Sequence, residues 1–311
     1  MAADNAPLSH LVGGQPRGLD VRIAQAAAQA LGRPLKVLAF ESEYEKESTL
    51  GQEVNALLSA GLCDAASGFP LLADDLGPPQ RANARTPDYP GAKRKRERPF
   101  VPLGTLVAGR AYQAVTLGLV QRTPPPGSAP LSGLAELAQH REMKLGAVTG
   151  TLGGTLAIGW RMGALRAQTV SLGQRDDPLA LLARSGTAGR PGDAPRTGAP
   201  AASAAGAAST SEGGTPIDAL LLPLALFDGW ALAHPGAALV ASPWRKPIGV
   251  NLGFVTLQGA VEVRTAIDTV LTQALADGRV ARWAAEEGVS WTAPQSPEVS
   301  RGFGMAALLA D

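Results

Sequence analysis

The chain has 311 residues, of which 45% are hydrophobic and 5% aromatic, and its formal net charge at pH 7 is +1. This length suits two domains, and the near-neutral charge argues against a general nucleic-acid-binding surface. No run of about 18 apolar residues predicts a membrane span. With Cys63 as the one cysteine and with three histidines, an internal disulfide is excluded, and no metal site or cofactor is predicted.

The N-terminal part of the chain predicts an alternation of helices and strands that is typical of a parallel α/β sheet. The predicted elements are a helix over residues 18–32, a strand over 36–40, a helix over 52–60 and a buried strand over 62–67. Asp20 is placed to cap the first helix, and Gly32 with Pro34 ends it. Ligands of such sheets bind beyond the carboxyl ends of the strands, where Gly68 to Pro70 would lie.

The middle of the chain contains a basic run and a Gly/Thr-rich turn. The run at 93–98 is interpreted as a solvated loop rather than a patch for an anionic partner, because no aromatic residues interleave with it. After strands at 115–120 and 144–148 comes Thr149-Gly-Thr-Leu-Gly-Gly-Thr155. This turn is either a cradle for an anion or polar ligand or a tight turn required for packing, and its spacing is not the dinucleotide fingerprint.

The remaining elements continue the alternation after a low-complexity stretch. Residues 186–214 are Ala, Gly, Pro, Ser and Thr with few large apolar side chains, which predicts a disordered insertion. The other predicted elements are helices at 131–137, 177–185, 223–234, 261–276 and 280–287, and strands at 217–222, 239–242 and 248–256.

Five segments carry a resemblance to a known family. They are Gly18-Leu-Asp-Val-Arg-Ile-Ala, Leu57-Leu-Ser-Ala-Gly-Leu-Cys-Asp-Ala, Val148-Thr-Gly-Thr, Pro216-Ile-Asp-Ala, and Ile248-Gly-Val followed by Leu275-Ala-Asp-Gly-Arg. In this order, and across nearly the whole chain, they resemble the periplasmic solute-binding proteins of the polar amino-acid class.

The resemblance implies a fold with two α/β lobes joined by two crossover strands, the type II binding-protein fold. Lobe 1 would comprise residues 1–112 and 246–311, and lobe 2 residues 113–245 with the insertion. A small polar ligand would be held between the lobes and delivered to the membrane permease of an ABC transporter, by a monomeric, periplasmic protein that is not an enzyme and binds no nucleic acid. The ligand-binding residues that this implies are Gly68, Phe69, Pro70, Thr149, Gly150, Thr151 and Thr155.

The chain departs from the family at three ligand-holding positions. The aromatic residue that stacks on the ligand is replaced by Leu8, the arginine for the α-carboxylate by Leu76, with no arginine before Arg81, and the acid for the ammonium by Pro223. A buried ammonium without a carboxylate would be unpaired, at a cost of several kcal/mol. An ordinary amino-acid ligand is therefore disfavoured.

Two further segments resemble a narrower branch. Cys63-Asp-Ala-Ala-Ser-Gly-Phe-Pro70 and Arg98-Pro-Phe100 are similar to the binding-protein-like components encoded with pyrroloquinoline-quinone alcohol dehydrogenases of methanol oxidation. A quinoprotein alcohol dehydrogenase is thus an alternative partner. In that branch the cysteine pairs with one on the first strand, a position that falls here at or before Met1, so Cys63 is either a small buried hydrophobe or an orphaned disulfide partner.

The same comparison predicts that the family's first strand, expected before Asp4, is absent. We expect either that the chain as given begins late, without a signal peptide and this strand, or that another segment fills the slot. Two other functions stay open: a protein-interaction module on the same fold without a ligand, and a dehydratase-like enzyme, for which His10 would be the nearest candidate acid or base.

Overall fold

The computed structural model describes residues 1–42, 49–185, 216–302 and 304–309. The predicted insertion at 186–214 lies outside the described residues. The strands are β1 (Asp4–Asn5), β2 (Ser9–Val12), β3 (Gln15–Arg17), β4 (Ala66–Pro70), β5 (Asn83–Ala84), β6 (Val101–Pro102), β7 (Leu106–Arg122), β8 (Leu145–Val148), β9 (Thr169–Leu172), β10 (Ala219–Pro223) and β11 (Leu239–Leu257). The helices are α1 (Leu19–Ala30), α2 (Leu50–Ser59), α3 (Leu134–Leu137), α4 (Leu152–Gly159), α5 (Pro178–Arg184), α6 (Leu224–Ala233), α7 (Val261–Ala276), α8 (Arg279–Glu286) and α9 (Met305–Leu309).

The described residues form two compact units. Unit 1 contains residues 1–117, 223–235 and 245–310, and unit 2 contains residues 118–222 and 236–244. The chain passes from one unit to the other four times: within β7, at the end of β10, after α6 and within β11. The lobe boundaries expected from the sequence stay a prediction.

Unit 1 is built on strands β4, β11 and β7, in that order, with β4 antiparallel to β11. Its apolar residues form two clusters. The first joins α1, α7 and α8 to β11 through Ile23, Leu271, Val280 and Phe254. The second joins α2 to β4 and β11, and Phe69 belongs to it. Helices therefore pack on both faces of the strands, as expected for an α/β unit.

Helix α1 forms where the sequence predicts it, but a different group caps it. Gly18 is the N-cap with φ 115°, and no side chain caps the helix. The carbonyl oxygens of Pro7 and Leu8 instead accept from the amides of Leu19 and Asp20, at 3.4 and 3.0 Å. A Cβ at position 18 would lie 2.3 Å from the Leu8 oxygen, so glycine is required there. The prediction that Asp20 caps this helix was wrong, because its carboxylate accepts a hydrogen bond from the Tyr112 side chain instead.

The strand predicted at 36–40 is also absent from that part of the described chain. Residues 33–39 are irregular, and Phe40 makes an isolated parallel bridge to Ala2. A strand depends on a partner along its length. Here only the last predicted residues meet one, the short segment from Met1 to Ala3.

Unit 2 contains parallel strands in the order β10, β8, β9 beside the end of β7. Strand β9 was not predicted, and the two strands predicted at 239–242 and 248–256 are one continuous strand, β11.

Unit 1 also contains a hairpin of β2 and β3 that was not predicted. It turns at Gly13 and Gly14, whose φ angles of 57° and 78° suit a tight hairpin turn.

Candidate functional site

The predicted binding residues of unit 1 lie inside β4 rather than beyond its end. Gly68, Phe69 and Pro70 are strand residues, and Phe69 and Pro70 pair with Gly253 and Leu252 of β11. The Phe69 side chain is 2% exposed and packs in the core. The Phe69 side chain is therefore not available to a ligand, and the role of the three residues stays a prediction.

Gly68 adjoins a buried polar cluster that sequence reasoning missed. The Tyr112 hydroxyl of β7 donates a hydrogen bond to Asp20 Oδ1 at 2.5 Å, and both residues are buried. Gly68 has φ 67°, and a Cβ there would lie 3.1 Å from Asp20 Oδ2. The sequence did contain a signal for this cluster: a tyrosine lies within a strand of small and apolar residues, and an acid lies near the start of an apolar helix.

Burial dominates the electrostatics of this cluster. It raises the pKa of Asp20 from 3.8 to about 6, against the opposing effect of the Tyr112 and Ser67 hydroxyls. Burial also raises the pKa of Tyr112 well above its ordinary value, and the Asp20 carboxylate raises it further. At neutral pH the cluster therefore holds a carboxylate and a neutral phenol inside unit 1.

The predicted turn of unit 2 connects β8 to α4. Thr151 is the N-cap of α4: its hydroxyl accepts from the Gly154 amide at 3.1 Å and donates to the Val148 carbonyl at 2.8 Å. The Thr155 hydroxyl donates to the Thr151 carbonyl at 3.1 Å. Both hydroxyls are therefore engaged locally, as a packing turn requires.

Glycine is required at three positions of the turn, for different structural reasons. Gly150 has φ 78°, which favours glycine. A Cβ on Gly153 would lie 2.5 Å from the Leu221 oxygen, and one on Gly154 would lie 2.5 Å from the Val148 oxygen. The start of α4 can thus approach β10 and β8 closely only because these residues lack side chains.

Three amides of the turn remain free for a ligand. The N–H groups of Gly150, Leu152 and Gly153 donate to no other residue in the described part of the chain. They lie at the start of a helix and beside the carboxyl ends of β8 and β9. Backbone amides in this position attract anions and polar oxygen atoms.

Two of the three positions at which the sequence lacks an expected ligand-holding residue have structural roles in unit 1. Leu8 is 2% exposed and belongs to the core of unit 1. Pro223 is the N-cap residue of α6.

Two histidines have different surroundings. His10 Nδ1 is buried without a hydrogen-bond partner among the described residues, whereas the His234 ring stacks on Trp230 with 4.2 Å between the ring centroids.

Within the described ranges, no three His, Cys, Asp or Glu side chains are close enough together to hold a metal ion. No helix in these ranges is both long and apolar enough to cross a membrane.

Solved structures with this architecture include a substrate-binding domain, a solute receptor and a dehydratase. The second substrate-binding domain of GlnP from Lactococcus lactis, in an open conformation, is 15% identical, with a TM-score of 0.55 over 94% of this chain and 95% of that one. The L-cystine solute receptor of Neisseria gonorrhoeae, unliganded and open, is 16% identical, with a TM-score of 0.52 over 94% and 93%. An ancestral cyclohexadienyl dehydratase is 14% identical, with a TM-score of 0.52 over 92% and 90%.

These likenesses establish the fold. The predicted fold class, an α/β protein of the two-lobed periplasmic-binding-protein type, is confirmed, and so is the resemblance to substrate-binding proteins of amino-acid ABC transporters. No protein-family model and no curated protein sequence matches the chain.

Proposed function

We propose that the protein is an extracytoplasmic solute-binding protein that captures a small polar ligand for the permease of an ABC transporter. The fold supports this role, since proteins with the same architecture include the cystine receptor and the GlnP domain. The observation that carries the proposal is the set of free amides at Gly150, Leu152 and Gly153. These N–H groups are preformed hydrogen-bond donors for one or two ligand oxygens.

The ligand we expect is a small carboxylate without an ammonium group beside it. A carboxylate matches amides at a helix start in both charge and hydrogen bonding. The position expected to hold an acid for an ammonium is Pro223, whose ring carries no polar side-chain group. A ligand with a free ammonium would thus have one charged group without its expected partner.

A proline at the first residue of α4 tests this proposal directly. Leu152 follows the N-cap residue Thr151, which is extended at φ −101° and ψ 165°, so Leu152→Pro fits the helix start and deletes one amide. The matched control is Leu152→Ala, which shortens the side chain and keeps the amide.

The measurement is a thermal-shift screen of the unmodified protein and both variants against small carboxylates, amino acids, alcohols, quinone cofactor and lanthanide ions. A carboxylate should raise the melting temperature of the unmodified protein and of Leu152→Ala. In Leu152→Pro its affinity should fall roughly 10- to 100-fold, as expected for one charge-assisted hydrogen bond. Equal affinity in both variants, or no carboxylate response in the unmodified protein, would contradict the proposal.

A second candidate is a protein-interaction module without a ligand. It is favoured by Leu8 and Phe69, which stand at expected ligand positions but are each 2% exposed in the core of unit 1. The alternative partner is then a quinoprotein alcohol dehydrogenase, on the resemblance of the segment from Cys63 to Pro70. Co-purification with such an enzyme, combined with no thermal shift from any small molecule, would favour this function.

Binding without chemistry is the proposed mode of action. An ancestral dehydratase shares the fold. Each carboxylate that binds should therefore also be incubated with the protein and monitored by NMR, to test whether the protein catalyses its dehydration. Turnover that is abolished by His10→Gln would replace the binding role with an enzymatic one.

A further inference from the structure

Residues 81–98 of unit 1 carry a concentration of positive charge. They include seven of the 28 basic residues of the chain and two of its 27 acidic residues, which gives this stretch a net charge of +5. The rest of the chain has a net charge of −4. The near-neutral total therefore conceals one strongly basic region.

The base of this region is ordered. Strand β5 pairs with β6 in an antiparallel ladder. Between these strands the Arg98 side chain, which is 6% exposed, donates to the Thr86 carbonyl at 2.7 Å. A single 3-10 turn covers Lys95–Glu97. The basic run is thus presented from a fixed position on unit 1.

Three cations of the run are open to solvent. Lys93, Arg94 and Arg96 are exposed, and none of them forms an ion pair with another residue of the described ranges. Like charges this close together repel each other and lower the stability of the folded state. An anionic surface laid against them would offset this repulsion.

An exposed aromatic ring follows the run. Phe100 is 57% exposed, and the Arg85 guanidinium lies 4.2 Å from the centre of its ring. Arg85 Nε also donates to the Arg98 carbonyl at 3.1 Å, which ties this pair to the end of the run. The sequence favoured a solvated loop because no aromatic residue interleaves with the run, but the fold holds one at its end.

We propose that this surface, the basic patch of Lys93, Arg94, Arg96 and Phe100, binds the headgroups of an anionic phospholipid membrane. Lysine and arginine are attracted to the phosphates of such a surface, and clusters of about four to eight of them are typical of membrane-binding segments. The phenyl ring enters the boundary between headgroups and acyl chains. A surface of acidic side chains would pair with the cations alone, whereas a phospholipid surface accommodates both the cations and the ring.

The basic patch also gives the protein an orientation. Since the rest of the chain is net negative, an anionic membrane attracts the basic patch and repels the remainder. This interaction is separate from the ligand site proposed in unit 2, and its failure would leave that proposal intact.

The test is cosedimentation of the full chain with vesicles of phosphatidylglycerol and phosphatidylcholine in equal parts, and with vesicles of phosphatidylcholine alone. The protein should sediment with the anionic vesicles at low salt, and this binding should be largely lost at high salt. It should not sediment with the neutral vesicles.

The variant Lys93→Gln/Arg94→Gln/Arg96→Gln removes the three exposed charges of the basic patch. It should weaken binding to the anionic vesicles on the order of 100-fold. A matched control removes the same number of charges from exposed positions outside the basic patch, in the variant Arg141→Gln/Arg166→Gln/Arg282→Gln. The control should bind within about 3-fold of the unmodified protein, because distant charges are screened.

Phe100→Ser tests the part played by the ring. It should weaken binding to the anionic vesicles roughly 5-fold, while binding to polyglutamate should not change.

Four results would overturn the proposal. The first is no sedimentation of the unmodified protein with anionic vesicles at low salt. The second is equal sedimentation with neutral vesicles, and the third is an equal loss in the two triple variants. The fourth is binding to polyglutamate but not to vesicles, which would make the basic patch a site for an acidic protein. Because the two kinds of vesicle are compared on the unmodified protein, the test stands even if a variant does not fold.

Discussion

Asp20 of α1 and Tyr112 of β7 form a buried side-chain hydrogen bond in unit 1. The hydroxyl of Tyr112 donates to a carboxylate that is 1% exposed. A buried charge with few partners is costly, and burial accordingly raises the pKa of Asp20. The sequence indicated an acid at the start of α1 but gave no means of locating its partner, which lies 92 residues away along the chain.

The raised pKa of Asp20 predicts a pH dependence of stability with a definite sign. Because its pKa is about 6 in the folded protein and 3.8 ordinarily, the folded state binds the proton more tightly. The contribution of Asp20 to the free energy of unfolding should therefore increase as the pH falls from about 7 to 4, by at most about 3 kcal/mol. Urea unfolding across this range should show this gain, and Asp20→Asn should lose it.

Tyr112→Phe is the companion variant. It removes the hydrogen bond and leaves the Asp20 carboxylate less stabilised. The free energy of unfolding should therefore fall by roughly 1 to 3 kcal/mol at pH 7, and by less near pH 4, where Asp20 is protonated. The pH dependence should then become steeper than in the unmodified protein. A pH profile that is identical in Asp20→Asn and the unmodified protein would contradict this account.

At the scale of elements, helices were easier to predict than strands. Helix α7 has the predicted bounds, and the other amphipathic helices differ from prediction by a few residues, because helix periodicity and stop signals are local. The strand predicted at 36–40 failed because pairing depends on a distant segment. The free amides at Leu152 and Gly153 could be anticipated from the Gly/Thr turn, whereas the stacking of Arg85 on Phe100 could not, since it arises from how separate segments meet.

The capping box of α2 provides an element-scale prediction. The Thr49 hydroxyl accepts from the Gln52 amide, and the Gln52 side chain accepts from the Thr49 amide, both at 3.3 Å. Thr49→Ala should destabilise unit 1 by about 1 kcal/mol in urea unfolding, and Thr49→Ser should not.

Thr269→Ala is the matched control for the loss of a hydroxyl. Thr269 is an exposed residue in the interior of α7, and its hydroxyl donates to the Thr265 carbonyl. Alanine has the higher helix propensity, so this change should leave stability unchanged or raise it slightly. Equal losses in Thr49→Ala and Thr269→Ala would show that the capping box is not the cause.

For the whole molecule, the balance of charge predicts the pH of lowest solubility. The isoelectric point from the sequence is about 7.9. Repulsion between molecules is weakest where the net charge is near zero. Light scattering of concentrated protein at low salt should therefore be highest near pH 8 and should fall on acidification toward pH 6. A scattering maximum well below pH 7 would contradict this prediction.

The division of unit 1 among three parts of the chain affects how the protein is made. Helix α1 ends at Ala30, but the helix it packs against, α7, begins at Val261. At about 5 to 20 residues per second, a ribosome needs roughly 10 to 50 s to synthesise the intervening chain. Unit 2 is complete once residue 244 has emerged, so it is the first to be able to fold. Meanwhile, the apolar face of α1 is available to chaperones on the nascent chain.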